Sequence, residues 1–244
     1  EISGQHIHMS ASIGITLYPR DGDTPDEILK NADSAMYAAK RSGRNCWSFY
    51  EPVLQTEAFE KMTLTNSLRR ALDREELLLH FQPFVRLQDK RIIGFEALLR
   101  WNSAEHGPVS PGRFIPYAEQ SGIIVPLGYW VVAEACRFAQ QLGETGHGDL
   151  CVAVNISPRQ LADVNFIAMV RSTIHESGIR PQQLEIEVTE SVLIESMEES
   201  IKKLLALKEL GVRIALDDFG TGYSSLTYLR RLPVGTLKSD KSFI

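Results

Sequence analysis

The chain has 244 residues, 43% of them hydrophobic and 23% charged, with a net charge of −5 at pH 7. That is the make-up of an ordinary globular protein whose acidity excludes a global positive field for a nucleic-acid polymer, so an anionic ligand must be held by local arginines, lysines or metal ions. No apolar run approaches the ~18 residues of a membrane-spanning helix, and Cys46, Cys136 and Cys151 lack the spacing of a disulfide frame or zinc cluster. A reducing, cytoplasmic setting follows, with room for a membrane anchor upstream of Glu1.

Residues 1–51 read as strand, helix, strand. His6 to Ile15 alternates like a strand, Thr24 and Pro25 make a helix N-terminus, and Ile28, Leu29, Ala32, Ala35, Met36 and Ala39 share one helical face up to Gly43. A short strand follows at Trp47 to Tyr50. Three such elements bury little by themselves, so they read as the tail of a domain whose body lies upstream. Residues 52–76 predict a connecting helix, with Leu64, Leu68 and Leu72 four apart.

The second domain, 77–244, opens with a hairpin-like pair, Leu77 to Arg86 and Arg91 to Arg100. Helices then alternate with strands, at about 125–142, 165–177, 196–210 and 224–231. Gly178 and Gly211 sit at helix C-termini, and Pro233 follows the last helix. Such alternation predicts a parallel sheet wrapped by helices. A (β/α)8 barrel takes about 250 residues, so the fold class expected is α/β, an incomplete TIM-like barrel lacking its last two βα units.

Successive strands each end in a polar group: Ile92 to Glu96, Val152 to Asn155, Leu184 to Glu187, Val212 to Asp217-Asp218 and Gly235 to Lys238. One such end is ordinary, since a lone strand-end carboxylate more often faces solvent. Five in succession describe one face of a sheet, and oxygen donors of this kind suit Mg²⁺ or Mn²⁺. Adjacent Asp217 and Asp218 repel one another unless a cation compensates. None of the histidines, His6 and His8 included, stands in metal-ligand spacing with these carboxylates.

Phe95-Glu96-Ala97-Leu98-Leu99-Arg100-Trp101 resembles the signature of EAL domains, the phosphodiesterases that open cyclic di-GMP. The neighbouring motifs keep the family's order: Phe81-Gln82-Pro83, Asn155-Ile156-Ser157, Glu187-Val188-Thr189-Glu190, Asp217-Asp218-Phe219-Gly220-Thr221-Gly222 and Leu237-Lys238-Ser239-Asp240. The resemblance implies a two-metal site in which Glu96, Asn155, Glu187 and Asp217 bind one ion and Asp218 joins the second. It implies that Glu96, Asp218 and Lys238 are catalytic and that Gln82 and Arg100 contact the dinucleotide, Arg100 through its planar fork. Glu190 would anchor the loop from Phe219 to Ser225. Two divalent ions about 3.5–4 Å apart neutralise a phosphodiester and acidify water, so in-line attack would give the linear dinucleotide pGpG. The family also uses a glutamate and a glutamine from its last two strands, beyond Ile244.

The first fifty residues resemble the end of a GGDEF domain, through Ser12-Ile13-Gly14-Ile15 and Ala32 to Asn45. Lys40 and Arg44 match residues that touch triphosphate there, but basic groups also suit a helix C-terminus, and the family's Gly-Gly-Asp-Glu-Phe turn is not in this chain. The partners implied are cyclic di-GMP, a second copy through the EAL domain, and GGDEF and sensor regions in cis. The competing reading is a receptor that binds cyclic di-GMP without cleaving it. A Schiff-base role for Lys238 is weaker, because the nearby aspartates keep a lysine charged.

Overall fold

The computed structural model describes residues 10–190, 197–220 and 232–239. The predicted helix 224–231, the loop from Thr221 to Ser225, Asp240, and the strand start at His6 lie outside them. Two compact units divide the chain at residue 66.

In the first unit, β1 (Ile13–Ile15) and β2 (Trp47–Phe49) pair in parallel, and α1 (Pro25–Arg41) links them. The N-terminus of α1 forms as its sequence predicts. Thr24 accepts from the Glu27 N–H while Glu27 reaches back to the Thr24 N–H, and Pro25 needs no donor at the first position. Ala35 and Ala39 are fully buried, and α1 crosses β1 so closely that a Cβ on Gly14 would lie 2.0 Å from the Ala32 carbonyl. Leu29 departs from the expected face. It is 67% exposed, since the stripe that meets the strands runs through Ala32, Ala35 and Ala39.

The last turn of α2 (Pro52–Ala71) belongs to the second unit. There β3 (Leu77–Val85) and β4 (Ile92–Ser103) form an antiparallel hairpin, and β5 (Gly107–Val109) folds back on the end of β4. After α3 (Pro111–Ser121) and α4 (Ile124–Glu144) comes β6 (Cys151–Asn155), parallel to β4. Then α5 (Pro158–Ala162) and α6 (Phe166–Ser177) lead to β7 (Leu184–Thr189), α7 (Met197–Glu209) to β8 (Arg213–Phe219), and β9 (Thr236–Ser239) closes the order.

Each parallel strand is added on the same side of its predecessor. Right-handed crossovers then put the described helices that join the parallel strands on one face and leave the other as an interior. This is how a barrel wall grows, and among the described residues its edges β3 and β9 do not pair with each other. Strand alternation divides the labour. Val152, Val154, Leu184, Ile186, Val188, Ile214 and Leu216 join Val132, Phe166, Val170, Leu204 and Leu207 in the core under the helices, while their neighbours point into the barrel.

Three elements escaped the sequence reading, β5, α3 and α5. Prolines stand at 108, 111 and 116 across β5 and α3; Pro111 occupies the first turn of α3, and Gly122 ends the helix at φ 84°. Tyr129 and Trp130 on α4 are half-buried. The Tyr129 hydroxyl donates to Asp163 Oδ2 at 2.9 Å. Among the described residues no helix is long and apolar enough to cross a membrane.

Candidate active site at the carboxyl ends of the parallel strands

The residues that alternate with the core positions supply the polar groups. Ala97 on β4 is buried, so Glu96 faces the interior. On β6, β7 and β8 the same alternation turns Asn155, Glu187 and Asp217 inward. In register Asn155 lies beside Glu187, and Glu187 beside Ala215. Ala215 puts only a methyl group into the gap, so Lys238 of β9 reaches past β8 to Glu187 on β7.

Lys238 Nζ is the point of convergence. It lies 2.7 Å from Glu187 Oε2, 3.2 Å from Glu96 Oε2 and 3.6 Å from Asp217 Oδ2. The face of Phe84 stands 5.4 Å from the same nitrogen, within cation–π range. Asn155 Nδ2 donates to the other oxygen of Glu96 at 2.8 Å. Glu187 is fully buried, and its Oε1 has no hydrogen-bond partner.

The electrostatics follow from that burial. Burial pushes the Glu187 carboxyl up to about 7; the Lys238 ammonium pulls it back, and the charges of Glu96 and Asp217 push it further up. Burial also opposes the Lys238 ammonium, but its bond to Glu187 and the surrounding carboxylates outweigh this and hold its pKa above the usual lysine value. At neutral pH the proton therefore stays on the lysine.

The remaining predicted residues surround this centre. Gln82 pairs with Glu96 across the β3–β4 hairpin and is exposed. Arg100 is half-buried, with Nη1 donating to the Leu99 carbonyl at 2.9 Å. Asp218 is exposed at φ 55°, and the strand register shifts between Leu216 and Phe219. The Asp218 N–H donates to Asp217 Oδ1 at 2.9 Å. Glu190 accepts from the Gly220 N–H at 2.9 Å, at the start of the loop it is expected to anchor. Sequence reasoning missed Phe84 and Ala215. Phe84 could have been found from its place two residues after Gln82 on the same strand face; Ala215 carries no chemistry to notice.

The donor set fits a hard divalent cation. Carboxylate oxygens from three strands converge, an amide stands beside them, and Glu187 keeps one buried, uncommitted oxygen. Among the described residues no three His, Cys, Asp or Glu side chains form an ion cage.

The EAL domain family matches residues 65–244, the greater part of the chain. The chain belongs to the EAL-domain family. Residues 1–46 match the diguanylate cyclase, GGDEF domain family. The bifunctional diguanylate cyclase/cyclic di-GMP phosphodiesterase MucR of Pseudomonas aeruginosa is 46% identical over 244 residues, which is all of this chain and 36% of MucR. The cyclic di-GMP phosphodiesterase PdeR of Escherichia coli is 40% identical over 238 residues, 98% of this chain and 36% of PdeR. The solved structure named PaMucR phosphodiesterase, c-di-GMP complex, is 45% identical with a TM-score of 0.71, over 74% of this chain and 73% of that one. The chain thus spans about a third of the length of the curated relatives it matches. Its EAL domain shares the TIM-like barrel architecture of that solved EAL structure.

Proposed function

We propose that this EAL domain hydrolyses cyclic di-GMP to the linear dinucleotide pGpG in bacterial second-messenger signalling. The observation that carries the reading is the convergence of Glu96, Glu187 and Asp217 on one point at the strand ends, with a buried Glu187 oxygen uncommitted. Alone, such carboxylates would repel an anionic substrate; as a seat for divalent cations they make a site that neutralises and positions a phosphodiester.

Glu96, Asn155, Glu187 and Asp217 would hold one Mg²⁺ or Mn²⁺ ion, and Asp218 would join a second. When bound, these ions supply Lewis acidity toward the phosphodiester and water. The chain's own residues do the rest. Asn155 fixes the carboxylate plane of Glu96 through its hydrogen bond. Asp218 orients the attacking water and takes up its proton, and Lys238 steadies that water or the charge growing at phosphorus. Gln82 and Arg100 bind the dinucleotide, and Glu190 holds the backbone of Gly220 so that the following loop meets the site.

We place residues 1–51 at the end of a GGDEF domain, with 52–76 as the connecting helix and 77–244 as the EAL domain. A cytoplasmic location, a homodimer through the EAL domain and control in cis by upstream GGDEF and sensor regions belong to the same proposal.

The test is turnover of cyclic di-GMP by the full-length protein with Mg²⁺ or Mn²⁺, beside Glu96→Ala. Linear dinucleotide from the native protein and none from the variant is the expected result. Tight binding without turnover would make the domain a receptor.

A further inference from the structure

We propose that Lys238 is the resident cation of the metal-free site and competes with the divalent ion for its carboxylates. This rests on the metal-dependent reading above, and it gives Lys238 a role before substrate arrives. Three carboxylates lie within hydrogen-bond or ion-pair reach of one point, Glu187 of them fully buried, an arrangement that calls for a positive partner in their midst. Lys238 is that partner. Its ammonium bonds Glu187 Oε2 and Glu96 Oε2, stands near Asp217 Oδ2, and is backed by the face of Phe84.

The arrangement also contains a way in and a way out. Glu187 Oε1 has no hydrogen-bond partner, so an entering ion can bind there while Oε2 still holds the lysine. The Lys238 side chain remains 24% exposed, and its flexible stem lets the ammonium withdraw toward water. Oxygens that serve the ammonium cannot serve the ion at full strength. The lysine therefore holds the carboxylates together before an ion binds and weakens metal binding by the same contacts.

The experiment uses the full-length protein stripped with EDTA, as wild type and as Lys238→Met, titrated with Mn²⁺ by calorimetry and melted with and without the ion. One positive charge fewer beside the site should tighten Mn²⁺ binding about tenfold. The metal-free variant should melt below wild type, and Mn²⁺ should restore it. Unchanged or weaker Mn²⁺ binding in a folded variant overturns the proposal alone. No Mn²⁺ binding by wild type overturns the metal reading and this proposal with it. A measurement on wild type stands even if the variant does not fold: acylation of Lys238, read by mass spectrometry, should accelerate severalfold when Mn²⁺ is added. An unchanged rate overturns the proposal.

Discussion

Asp218 shows what a single residue carries here. An aspartate at φ 55° occupies the left-handed region, which costs a non-glycine residue about 1 kcal/mol or more. That strain ends the regular run of β8 just where Asp217 must face inward. Asp218→Gly should therefore raise stability by up to about 1 kcal/mol in urea melts while abolishing turnover; a variant both active and more stable would show that the carboxylate is not needed. Asn155 is the milder case. Its amide orients Glu96, and Asn155→Ala should weaken Mn²⁺ binding roughly 10–100-fold, the usual cost of losing a partner that orients a ligand, as calorimetry would read directly.

Among the elements, the parallel strands and the helices over them were the most readable in sequence. Strongly periodic stretches such as Ile124–Glu144 and Phe166–Ser177 formed within a residue or two of expectation, because burial and periodicity agreed. The segment from Gly107 to Ser121 was not readable, because prolines more often mark a loop, whereas here Pro111 takes the first turn of a helix that Gly122 ends. Trp101 marks the join. It is buried, meets Phe114 of α3 edge-on with ring centroids 5.5 Å apart, and donates from Nε1 to Glu76 Oε2 at 3.0 Å. Trp101→Phe keeps the packing but leaves a buried carboxylate oxygen short of a donor, so it should cost about 1–3 kcal/mol. Leu204→Ala, in the core between α7 and the sheet, should cost about 2–5 kcal/mol. Equilibrium denaturation would rank the two.

The pH response belongs to the molecule as a whole. Burial pushes the Cys136 thiol up to about 12. Iodoacetamide at pH 8 should therefore leave it unmodified in the folded protein and label it on unfolding, which makes it a reporter of global opening. Asp163 responds at the acid end. The Asn165 N–H and the Tyr129 hydroxyl hold its pKa below the usual carboxylate range, against a small cost of burial. Its contribution is present above the unfolded pKa and lost as pH falls through the folded one. Tyr129→Phe should flatten the acid limb of a stability–pH curve, and an unchanged limb would remove Asp163 from the account.

The candidate site was legible at the same coarse level. Which strands end in carboxylates could be read from residues 96, 187 and 217; that they meet on one lysine could not, because the meeting depends on Ala215 being small and on the stagger of neighbouring strands. On β6, on β7 and on β8 as far as Asp217 the even-numbered residues pack under the helices and the odd-numbered ones face the interior. Folding and chemistry are thus written in alternate letters of the same strands. A lineage could rewrite the odd letters, losing hydrolysis or gaining another ligand, and still inherit an intact barrel wall.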